Sequence, residues 1–114
     1  MNQDILIVTT NDVPGYDVVQ IYGEVFGLIV RSRNFFSNFG ANLRTVVGGE
    51  VKGYTKLLAD TREQALARLR EEASAKGANA ILMMRFDSGD LGQQMNEVVA
   101  YGTAVKIQPK NSKG

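Results

Sequence analysis

The chain alternates segments of two-residue apolar periodicity with one long segment of helical periodicity. Residues 5 to 9 are a short β-branched run, and the Asn, Asp, Pro and Gly residues that follow predict a turn after a first strand. From Val18 to Val30 apolar residues alternate, with Val19, Ile21, Gly23, Val25, Gly27 and Ile29 on one face. Glycine inside a strand marks a bulge, a bend or the close approach of another backbone, so this strand is predicted to be long and curved.

Two helices are predicted in the middle of the chain. Residues 34 to 47 predict a short helix, because Phe35, Phe36, Phe39, Leu43, Val46 and Val47 fall near helical spacing. Residues 54 to 76 predict a long helix that ends at Gly77. Its apolar stripe consists of Tyr54, Leu58, Thr61, Ala65, Leu69 and Ala73, flanked by Leu57 and Leu66. Arg68, Glu72 and Lys76 follow at i, i+4 spacing and are expected on its solvated side.

The carboxyl-terminal third of the chain predicts two more strands. Residues 80 to 87 are apolar on both faces up to Arg85, which is typical of a central strand. A turn is expected at Ser88, Gly89, Asp90 and Gly92, and a last long strand from Gln94 to Ile107. The fold class is therefore α+β, with a roughly four-stranded antiparallel sheet, one long helix and one short helix.

This arrangement leaves one face of the sheet uncovered, because a single long helix covers only one face. Apolar residues remain for the other face, among them Phe26, Leu28, Ile81, Met83 and Val99. A second copy of the chain is the most economical cover for them. The pattern thus predicts a homo-oligomer.

Length and charge restrict the class of protein. A chain of 114 residues predicts a single domain over residues 1–108, and the lysine-containing end, 109–114, is expected to be a disordered tail. A net charge of +1 gives no basic field for nucleic acid. The longest apolar run is far below the roughly 20 residues that span a bilayer, and the amino terminus lacks a secretory signal. We expect a cytoplasmic protein without nucleic-acid or membrane partners.

Cysteine and histidine are both absent from the chain. Their absence excludes disulfides, thiol nucleophiles, zinc fingers and histidine-based catalysis. We therefore expect no enzyme, and no motif identifies a cofactor.

The stretch VVGGEVKGY, residues 46 to 54, contains three glycines ahead of the long helix. A phosphate-binding loop of the Walker type needs Lys and Ser or Thr directly after its last glycine. Here Lys52 precedes Gly53, and Glu50 brings a negative charge. We favour a turn that joins two helices over an anion site at the start of the second helix.

Three methionines, Met83, Met84 and Met95, are soft donors of the kind that Cu(I) prefers. Adjacent residues of a strand point to opposite faces, so Met83 and Met84 cannot enter one site. Methionine also fills cores commonly, and core packing is the favoured interpretation.

Ionisable and phenolic side chains are concentrated in the predicted strands. The hypothetical polar lining of a ligand pocket consists of Tyr22, Glu24, Arg85, Glu97 and Tyr101, with Asp87 nearby. Three interpretations remain open. These groups form ion pairs between subunits, or bind a small ligand or hard cation, or act in acid–base catalysis.

Several segments together resemble the YbjQ-like family: FFSNFGANLRTVVGGEVKGYTKLL, AKGANAILMMRFDS and VVAYGTAVKI. The resemblance covers roughly residues 5 to 107. It implies a dodecin-like β-α-β-β subunit in a homopentameric ring, and a family description of heavy-metal binding. The expected function is a non-enzymatic ring that binds a small ligand or ion, and the alternative is a structural or partner-binding oligomer without a ligand. No catalytic residue and no metal ligand is assigned.

Overall fold

The computed structural model describes residues 4–32, 46–47, 50–91 and 95–111. They form six strands and one long helix. In chain order the elements are β1 (Leu6–Ile7), β2 (Tyr16–Ser32), β3 (Val46–Val47), β4 (Glu50–Val51), α1 (Lys52–Ala75), β5 (Ala80–Leu91) and β6 (Met95–Pro109). The fold is therefore α+β, as predicted.

The main sheet has four strands in the order β1-β5-β6-β2. β6 pairs antiparallel with both β5 and β2, whereas β1 pairs parallel with β5. The sheet is thus mixed, and the prediction of an antiparallel sheet is wrong at β1. β5 lies between β1 and β6, which confirms its prediction as a central strand.

β2 is long and irregular, as its glycines predicted. Register shifts against β6 occur between Val18 and Gln20 and between Ile21 and Gly23. Each bulge inserts one residue and changes which face the following side chains occupy. Val25, Gly27 and Ile29 are therefore buried as one face, while Ile21, assigned to the same face by simple alternation, is 68% exposed.

The helix packs on β2 with almost no space between the two backbones. A Cβ atom at Gly27 would lie 2.0 Å from the carbonyl oxygen of Ala65 and 2.6 Å from the amide nitrogen of Leu69. Those distances leave room for a hydrogen atom only. Gly27 is thus a site of close backbone approach.

The buried stripe of α1 agrees with its helical pattern. Leu57, Thr61, Ala65, Leu69 and Ala73 are buried. Leu58 departs from the prediction, since 47% of it is exposed. The described part of the chain contains no helix that is both long and apolar enough to cross a membrane.

The carboxyl-terminal end of α1 is a Schellman motif. The amide of Ala78 donates to the carbonyl of Ala73 at 3.1 Å, and the amide of Gly77 donates to Ser74 at 3.0 Å. Gly77 has a φ of 92°, in the left-handed region that glycine occupies without strain. The prediction that Gly77 ends the helix is confirmed.

The residues on either side of Gly48 and Gly49 form two short paired strands. Val46–Val47 pairs antiparallel with Glu50–Val51, and α1 begins immediately afterwards at Lys52. The prediction of helix at Val46 and Val47 is therefore wrong, and whether the stretch connects two helices depends on residues that lie outside the described chain. β-branched residues around a Gly-Gly pair are typical of a hairpin. Residues 34–45 of the predicted short helix lie outside the described chain.

β5 includes three residues of the predicted turn, and the fourth, Gly92, lies outside the described residues. Ser88 pairs with Val98 and Asp90 with Asn96, so Ser88, Gly89 and Asp90 belong to the strand. Pairing with β6 overrides their turn propensity. At the other end of β6, Pro109 pairs with Tyr16, and the amide of Lys110 donates to the carbonyl of Gly15 at 2.9 Å.

Two apolar clusters occupy the two sides of the sheet. The larger lies under α1 and includes Ile81, which was expected on the uncovered face. The smaller contains Ala80, Leu82, Val105 and Ile107 on the opposite side, where Val8 and Val13 partly cover it. The segment after β1 therefore covers one end of the face that α1 leaves open.

Candidate functional site: outer face of the sheet

We define the outer face as the side of the sheet opposite α1, from Leu82 to Gly89 on β5, Glu97 to Thr103 on β6 and Glu24 to Val30 on β2. The strand register arranges its residues in rows across the three strands. One row contains Arg85, Tyr101 and Phe26; the next contains Asp87, Val99 and Leu28; a third contains Gly89, Glu97 and Val30. The outer face thus combines an apolar centre with charged residues on several sides.

The apolar centre consists of large side chains that are substantially exposed: Phe26 (50%), Leu28 (41%), Val30 (41%) and Tyr101 (37%). The rings of Phe26 and Tyr101 lie 6.3 Å apart between centroids, at an interplanar angle of 31°. Isolated exposed apolar residues are common, but a contiguous patch is a mark of an interaction surface. We call these four residues the apolar patch.

Arg85 is held at one side of the apolar patch. Its Nη1 donates to the carbonyl oxygens of Thr9 and Met84, each at 2.9 Å. Two residues further along β5, Oδ1 of Asp87 accepts a hydrogen bond from the amide of Ser88 at 2.9 Å. Both charged groups are therefore anchored by backbone contacts.

The two glutamates proposed for the pocket do not lie together. Glu24 is opposite Thr103, and Glu97 is opposite Val30. Thr103 and Glu97 lie six residues apart on β6, about 20 Å at the rise of a β-strand. A single chain therefore brings no Glu24–Glu97 pair together for acid–base catalysis or for binding one cation.

Tyr22 is separated from the other four proposed pocket residues. It lies between Ile21 and Gly23 at the second bulge of β2, half-buried against the cluster under α1. Its hydroxyl donates to Oε1 of Gln20 at 3.4 Å. Alternation along the sequence placed Tyr22 beside Glu24, and the bulge moved it to the helix side. Glu24, Arg85, Glu97 and Tyr101 share the outer face.

A polar stripe on α1 contacts the free edge of β2, which sequence analysis did not predict. Oε1 of Glu72 accepts a hydrogen bond from the amide of Phe26 at 3.2 Å, and Nη1 of Arg68 donates to the carbonyl of Leu28 at 2.6 Å. One turn earlier, Gln64 accepts from Arg31. Arg68 and Glu72 were expected on the solvated side. Their i, i+4 spacing in the sequence predicts that they lie on one stripe of the helix. It does not reveal that the edge of β2 lies beside that stripe.

A family model and several similar proteins place the chain in one family. Residues 5–108 match the model of the YbjQ_1 family, described as "Putative heavy-metal-binding". A UPF0145 protein of Lactococcus lactis subsp. cremoris (strain MG1363) is 63% identical over 105 residues, covering 92% of this chain and 96% of the relative. A UPF0145 protein of Acidothermus cellulolyticus is 55% identical over 108 residues, covering 95% and 100%.

A solved structure has a similar fold. It is a protein of unknown function from Pediococcus pentosaceus ATCC 25745, assigned to the DUF74 family. The TM-score is 0.54 at 13% identity, covering 91% of this chain and 98% of the other. At that identity the similarity concerns the fold alone.

The side chains of this protein do not fit the heavy-metal description. Soft metal ions favour thiolate and imidazole ligands, and the chain has no Cys and no His. Within residues 4–32, 46–47, 50–91 and 95–111, no three acidic side chains are grouped to hold an ion. Met83 is exposed, whereas Met84 packs against the cluster under α1. We therefore derive no chemistry through a heavy metal.

Proposed function

Since the chain belongs to the YbjQ_1 family of UPF0145 proteins, we propose a function that its members' architecture could share. The protein is a non-enzymatic, cytoplasmic homo-oligomer whose copies pack through the outer face and hold a small ligand or ion between them. A ring of five is the assembly that the family resemblance implies. The observation that carries the proposal is the apolar patch.

The apolar patch supports self-association by its size and its position. Phe26 and Tyr101 are neighbouring exposed aromatic residues, and aromatic residues are enriched in the cores of interfaces. Leu28 and Val30 extend the same surface along β2. Covering these residues with another copy removes apolar area from water, worth about 25 cal/mol per Å².

The charged residues around the patch support a ligand between copies. Glu24, Arg85 and Glu97 lie on three sides of the aromatic pair, where an interface has its polar rim. Groups that are far apart in one chain can meet across an interface. Because Glu24 and Glu97 are separated within a chain, a ligand held by both would have to lie between copies.

The self-association is tested by native mass spectrometry and sedimentation velocity of the wild-type protein and of Phe26→Asp. We expect a wild-type oligomer and a Phe26→Asp monomer, because the substitution places a charge at the centre of the interface. Val19→Asp is the matched control, since Val19 is 48% exposed on the same strand but lies in the first bulge, outside the patch. A wild-type monomer at micromolar concentration would overturn the proposal.

The ligand is tested in the same spectra, with elemental analysis of protein purified without added ions. A stoichiometric non-protein mass that is lost in Arg85→Gln would support binding between copies. A homo-oligomer without such a mass would favour the alternative, a structural or partner-binding oligomer. That alternative is supported by the apolar character of the patch itself.

A further inference from the structure

A second candidate site lies on the helix side of the sheet, opposite the outer face. α1 packs over β2 and β6 and leaves β5 largely uncovered. A cleft of about 280 Å³ remains between the flank of the helix and the exposed part of β5. Its walls are Leu58 and Arg62 of α1, Phe86, Asp87 and Ser88 of β5, and Val98 of β6.

The walls of the cleft combine three apolar side chains with three polar or charged ones. Phe86 and Val98 are half-buried and pack against the edge of the cluster under α1. Leu58 is 47% exposed on the helix flank, the position where the helical pattern predicted a buried residue. An apolar body that enters the cleft would cover all three side chains.

Arg62 places a cation at this apolar cleft. Its Cζ lies 5.2 Å from the centroid of the Phe86 ring, within the range of a cation–π contact. No carboxylate of the described chain lies within ion-pair distance of Arg62. Asp87 also borders the cleft, but its carboxylate is not within ion-pair distance of Arg62; in the strand register it is on the outer-face side of β5, and its Oδ1 accepts from the amide of Ser88. The guanidinium is therefore available to an anion.

We propose that this cleft binds a small organic anion with a flat apolar body and one carboxylate. Arg62 donates two hydrogen bonds to the carboxylate, which suits the planar guanidinium. The body lies against Phe86, Leu58 and Val98, and the hydroxyl of Ser88 is a further donor. The volume of the cleft lies just below the usual range for small-molecule sites, so the ligand is about the size of one substituted aromatic ring.

The test is an NMR titration of the ¹⁵N-labelled full-length protein with benzoate and with its neutral analogue benzamide. Benzoate is expected to shift the amides of Leu58, Phe86 and Ser88 in a saturable way. Benzamide is expected to bind at least about tenfold more weakly, because it lacks the charge-assisted hydrogen bonds.

Arg62→Gln is expected to reduce benzoate affinity by at least about tenfold, with little change for benzamide. Lys56→Gln is the matched control, since Lys56 is an exposed cation of the same helix paired with Asp60 at 3.2 Å. Circular dichroism of each variant establishes that it is folded.

Equal affinity for benzoate and benzamide would overturn the proposal, as would benzoate binding unchanged in Arg62→Gln. Shifts confined to outer-face amides, such as those of Phe26 and Tyr101, would also overturn it. Because the cleft and the apolar patch lie on opposite sides of the sheet, either proposal can fail without the other.

Discussion

Where α1 packs most closely, the two faces of the sheet differ in the size of their apolar residues, and the outer face also carries the charged residues Glu24, Arg85, Asp87 and Glu97. Toward α1 the strands present Gly27, Ala100, Gly102 and Ala104, while the adjacent outward positions hold Phe26, Leu28 and Tyr101. Both sets are apolar. On the side with small residues, the backbone of α1 packs directly against the backbone of β2 at Gly27. On the other side, the large residues remain exposed. A lone chain with this distribution leaves Phe26, Leu28 and Tyr101 substantially exposed to water, which is the pattern expected of a subunit.

The largest effect is expected at the helix-facing side, from Gly27→Ala. The added methyl would overlap the backbone of Ala65 and Leu69, so either α1 or β2 must move. We expect a loss of about 3 kcal/mol in the free energy of unfolding, the upper part of the range for overpacked cores. Urea denaturation followed by circular dichroism measures it.

Gly89→Ala is the control for this prediction. A Cβ at Gly89 would approach no atom closer than 3.9 Å, that atom being Oε2 of Glu97. Its free energy of unfolding should therefore stay near that of the wild type. Equal losses in Gly27→Ala and Gly89→Ala would show that helix contact does not explain the glycine at position 27.

The second comparison sets Leu69→Ala against Leu28→Ala, one leucine from each side. Leu69 of α1 is fully buried in the cluster between the helix and the sheet, so its truncation should cost about 3 kcal/mol. Leu28 is 41% exposed, and its truncation should cost about 1 kcal/mol or less in dilute protein. If copies pack through the outer face, the cost of Leu28→Ala should rise with protein concentration, because assembly adds to stability by mass action. Thermal unfolding over a hundredfold concentration range measures this, and a cost independent of concentration would contradict the proposed interface.

Much of this two-sided architecture is predictable from sequence, because periodicity survives where elements are regular. The buried stripe of α1 and the alternation of β6 follow their simple periods. The sequence predictions are wrong where a bulge inserts one residue into the alternation of a strand, as at Tyr22. They are also wrong where pairing with a neighbouring strand overrides a local preference for a turn, as at Ser88 to Asp90. The candidate site was predictable as a set of four residues on one face. The separation of Glu24 from Glu97 was not, because it depends on strand register.

The segment from Gly77 to Ala80, part of the family resemblance, has a structural explanation. Gly77 and Ala78 close the Schellman motif, and Ala80 is fully buried. Between them Asn79 donates through Nδ2 to the carbonyl of Ile107 at 2.9 Å, and its Oδ1 accepts from the amide of Ile107 at 2.8 Å. The motif therefore aligns β5 with β6 and identifies the fold rather than a reaction.

A smaller effect is expected where α1 ends and the chain turns into β5. Gly77→Ala should cost about 1–2 kcal/mol in the free energy of unfolding, because a side chain disfavours the left-handed conformation. Gly77→Asn is the matched control and should cost less, since asparagine tolerates this conformation. If the two variants lose equal stability, contact of the new side chain with Tyr22 rather than the backbone angle is the cause.

The smallest effect concerns the edge of β2, where the two faces meet. Glu72→Gln keeps an acceptor for the amide of Phe26 but removes its charge, whereas Glu72→Ala removes the acceptor. We expect Glu72→Ala to cost about 1 kcal/mol and Glu72→Gln less, with Glu71→Ala, an exposed neighbour, near zero. Hydrogen exchange at the Phe26 amide is the direct measurement and should be several-fold faster in Glu72→Ala. Unchanged exchange would contradict the prediction, because it would mean that the Glu72 contact does not protect this amide.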